Sequence, residues 1–236
     1  SSVLHTAVLQ LLDEMGQFEL KGENPLIHVS FSGDLAKRDS LTARIHFNTE
    51  QLNIRGYPFA SIECSAAWHD SILELEDLTA ADKIGKLRVS GQWNPETKLI
   101  DAQIDTSLDP VLLSQALKIP YDTKRIQFSQ RPHALIHITQ HAQEPLLLTA
   151  FFEATQLRLD SEPFTECSLH ASWQADRFSI RDFILVHPSG KAQGNMLLTP
   201  KESHLSWTHQ LSHLAKKPIT TLWSTSTLPA FPPFTL

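Results

Sequence analysis

Residues Gln51–Pro95 read QLNIRGYPFASIECSAAWHDSILELEDLTAADKIGKLRVSGQWNP, and residues Gln156–Pro200 read QLRLDSEPFTECSLHASWQADRFSIRDFILVHPSGKAQGNMLLTP. The two stretches align without a gap at an offset of 105. Ten of the 45 aligned positions are identical: Gln51/Gln156, Leu52/Leu157, Pro58/Pro163, Phe59/Phe164, Ala66/Ala171, Trp68/Trp173, Asp77/Asp182, Gly85/Gly190, Lys86/Lys191 and Pro95/Pro200. Ordinary composition supplies roughly two or three such matches. The apolar positions stay in phase as well, so the chain reads as a repeat protein, and its period governs every later inference.

Outward from this stretch, apolar residues alternate with polar ones. Ile27, Val29 and Phe31 share one face of a segment, as do Ala43, Ile45 and Phe47 in the next. Ala60, Ile62, Cys64, Ala66 and Trp68 follow, then Leu73 and Leu75, then Leu87, Val89, Gly91 and Trp93, then Ile100, Ala102 and Ile104. The series restarts with Ile126 and Phe128, which answer Phe18 and Leu20, and with Leu135-Ile136-His137-Ile138, which answers Leu26-Ile27-His28-Val29. Phe152, Leu169, Trp173, Met196, Leu205 and Trp207 continue the apolar face in the second copy. Alternation of period two with one polar face marks antiparallel strands buried on one side. The expected fold is therefore mainly β: repeated antiparallel strands forming an elongated curved sheet or groove, with a β-sandwich as the alternative.

Short helices punctuate this pattern. Helical spacing predicts one over 2–14, a second over 109–118 and a third over 218–225. In the second, Asp109 is the N-cap and Pro110 the first helical residue. The predicted units are 1–108, 109–216 and 217–236, the last being the start of a third copy. A unit cut after one strand points to a slice of a longer array.

Composition excludes several classes. The 236 residues carry a formal net charge of −6, and no basic cluster, Lys216-Lys217 included, is longer than two residues, too little for a nucleic-acid partner. No apolar run approaches the roughly 18 residues that span a bilayer, and the acidic N-terminal segment does not read as a signal peptide. His133, His137 and His141 sit on the polar strand face without a Cys or carboxylate cluster, so no metal site is read there. Pro188-Ser189-Gly190-Lys191 resembles the tail of a phosphate loop, but Leu185 stands where its first glycine belongs. Glu74, Glu76 and Asp77 fall on the polar face or at a bulge. No nucleophile elbow or metalloprotease helix is present, and the chain is read as non-enzymatic and cofactor-free. Cys64 and Cys167 belong to equivalent strands of different units. About six strands at ~4.8 Å each would separate them, too far for a disulfide, and two free thiols are expected.

The apolar face has two readings. It is the core of a sandwich, or it is a groove open to acyl chains, since helices this sparse cannot cover so many strands. In the groove reading the lining comprises the Ile27, Ile45, Ile62, Trp68 and Val89 positions with their neighbours. It crosses the unit boundary at Ile100, Ala102, Ile104, Ile126, Phe128, Ile136 and Ile138, and continues through Phe152 to Trp207.

The succession of alternating strands, the Trp-ended hairpin, the Gly-marked turn and the helix opening Leu108-Asp109-Pro110-x-x-Leu113 together resemble the AsmA-like family, which includes TamB- and YhdP-type proteins of Gram-negative envelopes. The second unit departs from the pattern, with Ala215-Lys216-Lys217-Pro218 in place of the aspartate-proline step. The resemblance implies a parent protein anchored in the inner membrane, outside this segment, and reaching into the periplasm. Its β-groove would shelter phospholipid or another acyl-chain lipid during outer-membrane biogenesis, with other envelope proteins as further partners. The competing expectation is a structural or interaction module of the envelope with a closed core.

Overall fold

The computed structural model describes residues 18–22, 24–33, 42–116, 125–160, 162–199 and 203–209. The helices expected over 2–14 and 218–225, and the start of a third unit, lie outside the described residues. Strands numbered in chain order are β1 (Phe18–Leu20), β2 (Leu26–Ser32), β3 (Thr42–Ile54), β4 (Tyr57–His69), β5 (Ile72–Ala81), β6 (Lys86–Asn94) and β7 (Leu99–Thr106). Helix α1 (Pro110–Ala116) follows, then β8 (Ile126–Phe128), β9 (His133–Gln140), β10 (Leu147–Leu159), β11 (Glu162–Gln174), β12 (Arg177–His187), β13 (Gly190–Leu198) and β14 (Ser203–His209). By compactness the chain divides into Ser1–Tyr121 with Arg131–Leu148, and Asp122–Gln130 with Thr149–Leu236.

The protein is mainly β, built of repeated antiparallel strands that do not close into a barrel. In the first unit β1 and β2 both pair with β3, one along each half of its length. The order then runs β3-β4-β5-β6-β7-β9, antiparallel at every step. In the second unit β8 pairs with β10 as β1 pairs with β3, and β10-β11-β12-β13-β14 follow in order. Within each unit the described strands belong to one hydrogen-bonded sheet.

Local chemistry explains why the two copies share these details. Arg55 and Gly56 both have positive φ, 50° and 87°, which makes the tight turn whose twist matches a two-residue hairpin. A few residues earlier, Gln51 and its counterpart Gln156 both hold φ at 52°. Their carbonyls accept equivalent bonds, from Lys21 N–H and Ser129 N–H, each at 2.9 Å. Two consecutive exposed residues, Glu50-Gln51, interrupt the alternation between buried Thr49 and buried Leu52. Ala60-Ser61 do the same opposite them. Ala60, which simple alternation assigns to the apolar face, is therefore exposed, because the kink shifts the phase of both strands.

Gly85 answers a different need. A Cβ at this position would overlap the Ser107 backbone, so the β5–β6 turn can press against the chain leaving β7 only with glycine there. Glu76 and Asp77 fall in a register break between β5 and β6, as Asp182, with φ 53°, does between β12 and β13. That is the bulge expected of the acidic stretch.

The cores are separate. In the second unit Ala154, Leu157, Leu159, Phe164, Cys167, Phe183, Leu185 and Ala192 form one buried cluster. In the first unit, burial concentrates at one end of the sheet. Leu52, Ile62 and Ala80 form one group there, and Tyr57 and Leu108 form another with Ala116 of α1.

Candidate functional site

Cross-strand register resolves the apolar face of the first unit into rows running across seven strands, β2 through β7 and β9. One row is Ile27, Phe47, Cys64, Leu78, Val89, Ile104 and Ile136. The next is Val29, Ile45, Ala66, Leu75, Gly91, Ala102 and Ile138. The third is Phe31, Ala43, Trp68, Leu73, Trp93, Ile100 and Gln140. The predicted lining residues of this unit thus do lie together on one face, and the face crosses from β7 to β9 through Ala102–Ile138 and Ile104–Ile136.

Burial is graded along the strands. The row nearest α1 holds Thr49, Ile62 and Ala80, all buried, so Ile62 belongs to the core beside the helix. Phe47, Cys64, Val89, Ile104 and Ile136 are half-buried. Farther from the helix Ile45 is 47% exposed, Leu73 38%, Trp93 39% and Phe31 76%; on the edge strand β2, Ile27 and Val29 are exposed as well. Large apolar side chains in mid-strand positions normally seek cover, and an exposed group of them is uncommon on a protein surface.

The predicted lining of the second unit behaves differently. Ile126, Phe128, Phe152 and Leu169 are partly buried against its core cluster, and Trp173 and Met196 are half-buried. The side chains of Leu205 and Trp207 lie outside the described residues, although their backbones pair with Met196 and Gly194.

A polar knot closes the α1 end of the first unit's face. The Tyr57 hydroxyl donates to Asp82 Oδ2 at 2.6 Å and accepts the Asp109 N–H at 2.9 Å. Asp82 Oδ1 accepts the N–H groups of Ile84 and Gly85 at 2.8 and 2.6 Å. Asp109 Oδ1 accepts those of Val111 and Leu112 at 2.9 and 3.2 Å, the N-cap expected from the sequence. Arg131 sets its buried Nη1 3.2 Å from Asp82 and 3.5 Å from Asp109. Burial, then the bond to the Asp82 carboxylate, pushes the Tyr57 phenol up to about 12. Burial alone would raise Asp82, but the bonds from Tyr57, Ile84 and Gly85 and the Arg131 charge outweigh it and hold that carboxyl below its ordinary value. These contacts tie a hairpin, a turn, a helix start and the lead into β9 into one corner.

Sequence reading missed Tyr57, Asp82 and Arg131. The available signal was the repeat: at the same offset Tyr57 and Asp82 become Glu162 and His187, which themselves form a pair at 3.8 Å. The opposite face of the first unit is polar, with His137–Asp101 at 2.7 Å, His133–Asp105 at 2.8 Å and His69–Glu74 at 3.1 Å. These histidines sit in carboxylate pairs on the solvated side. Among the described residues no group of three or more His, Cys, Asp or Glu is gathered as for a metal ion.

Both cysteines are free thiols. Burial pushes Cys167 up to about 12, and burial followed by the Asp77 charge raises Cys64 as well. Because the thiolate is the reactive form and must be reached by the reagent, a thiol reagent at pH 8 should modify half-buried Cys64 first. Buried Cys167 should stay untouched until the protein unfolds. Equal labelling rates in the native protein would contradict this burial pattern.

Comparison with protein-family models, with curated proteins and with solved structures gave no match.

Proposed function

We propose that this chain is a lipid-binding segment whose open apolar sheet face shelters acyl chains, serving lipid transfer in a Gram-negative envelope as AsmA-like proteins do. The observation that carries this reading is the row-wise loss of cover on the first unit's face, from buried Ile62 and Ala80 to exposed Ile45, Leu73, Trp93 and Phe31. Such a face is costly in water, at about 25 cal/mol for each Å² of apolar surface left wet, and a flexible hydrocarbon chain covers it without needing complementary shape. The opposite, ion-paired face keeps the segment compatible with an aqueous compartment, and in this proposal that compartment is the periplasm. An anchor in the inner membrane and contacts with other envelope proteins belong to the same proposal.

The test is mass spectrometry of organic extracts of the purified chain, followed by titration with a fluorescent fatty acid. Co-purified phospholipid, or saturable fatty-acid uptake by the delipidated protein, is the expected result. A protein that emerges lipid-free and takes up no fatty acid overturns the reading.

A further inference from the structure

The first unit ends, among the described residues, in an edge strand. Among the described residues β2 has β3 as its only strand partner. All seven of its residues are exposed, and its sequence LIHVSFS carries neither an acidic residue, a Lys or Arg, nor a proline. Exposed edges ordinarily carry charges, prolines or bulges that prevent further pairing, and this one has none. At the other end of the strand order stands β14, SHLSWTH, which pairs only with β13 among the described residues and also lacks Asp, Glu, Lys, Arg and Pro.

The chain itself shows what such edges do when they meet. β14 is the repeat counterpart of β7 at the 105 offset, and β9 is the counterpart of β2 by its Leu-Ile-His-aliphatic sequence. Within the first unit β7 and β9 are antiparallel partners, with Asp101 opposite Thr139 and Ala102 opposite Ile138. We propose that β14 of one molecule pairs with β2 of the next as β7 pairs with β9, giving a head-to-tail association of like chains. Carrying the internal register across places Ser206 opposite Ser30, and Trp207 opposite Val29. The interface is heterologous, with different surfaces on the two sides, so it propagates as an open array. Each junction would also extend the apolar rows onto the neighbouring molecule. The association does not depend on lipid binding and can hold or fail independently of it.

Two single variants test it, Ser30→Cys and Ser206→Cys, chosen because both positions are exposed and the change is small. Circular dichroism first establishes that each keeps the parent's strand content. Directly opposed residues of an antiparallel pair have Cα atoms about 4.5–5.5 Å apart, within disulfide reach. Under mild oxidation a mixture of the two variants should give, as its dominant dimer, a disulfide joining position 30 of one chain to position 206 of another, identified by peptide mass spectrometry. Sedimentation of the parent protein should show a weight-average mass rising with concentration. A strictly monomeric parent with no mixed disulfide overturns the proposal. So does association in which dimers linked through position 30 of both chains predominate, because that means a symmetric β2–β2 pairing.

Discussion

On the lipid-binding proposal, Ile104→Asp should leave the protein folded while lowering the amount of lipid bound. Ile104 is half-buried between Val89 and Ile136, so the new carboxylate can turn toward water in the lipid-free protein, and the loss of stability should stay at about 2 kcal/mol. With an acyl chain on the adjoining open row through Ala102 and Ile138, the carboxylate lies against hydrocarbon and loses that escape. An aspartate placed in hydrocarbon costs roughly 2.5 kcal/mol or more, which lowers occupancy well over tenfold. Melting and bound lipid are measured on the same sample, with Gln103→Ala on the polar face as the control that should change neither. Undiminished lipid on a folded variant would count against the groove. Outright unfolding would favour a covered core at this position.

Asp82→Ala should be the most destabilising single change in the first unit. It removes the acceptor of the Tyr57 hydroxyl and of two backbone N–H groups, and it takes away the nearer carboxylate from Arg131. Breaking a buried ion pair from one side costs about 3 kcal/mol or more, which for a chain of this size lowers Tm by roughly 10 °C. Tyr57→Phe keeps the ring packing and loses only the hydroxyl, so about 1–2 kcal/mol is expected. The knot also has a signature in pH. The folded-state pKa of Asp82 lies below its unfolded value, so its contribution is present above the ordinary carboxylate pKa and is lost as pH falls through the folded value. Tyr57 has the opposite sign: its contribution is full below about 10, the ordinary phenol value, and disappears as pH rises toward about 12. Chemical denaturation across pH should therefore show a loss on both flanks, and Tyr57→Phe should remove the alkaline one.

The strands were legible because period two is enforced by geometry: every residue from Ile27 to Ile104 that alternation places on the apolar face, apart from Ala60, falls on the face described above. Ala60 escaped because a left-handed residue, Gln51, shifts the phase, and nothing in its local pattern distinguishes it from an ordinary strand position. Asp109-Pro110 announced the helix start because a cap requires specific local chemistry. Tyr57, Asp82 and Arg131 were opaque for the opposite reason. They are 25 to 74 residues apart in sequence, and no local rule joins a tyrosine after a hairpin to an arginine before a distant strand. The grading of burial was equally hidden, because alternation assigns a face and says nothing about what lies over it.

That grading gives the face a grain. Away from α1, only about two rows are open along each strand, a length of roughly 7–14 Å at ~3.4 Å per residue. Across the strands the same rows run from Val29 and Phe31 to Ile138, through seven strands, a span of about 29 Å at ~4.8 Å per step. An extended hydrocarbon chain therefore has room in only one direction, perpendicular to the strands. Along that line it crosses rungs of similar polarity and meets no energetic step, whereas a quarter turn would drive one end into the α1 corner. A film of such chains would be aligned by the hydrogen-bonding direction of the sheet, much as a nematic is aligned by a rubbed plate.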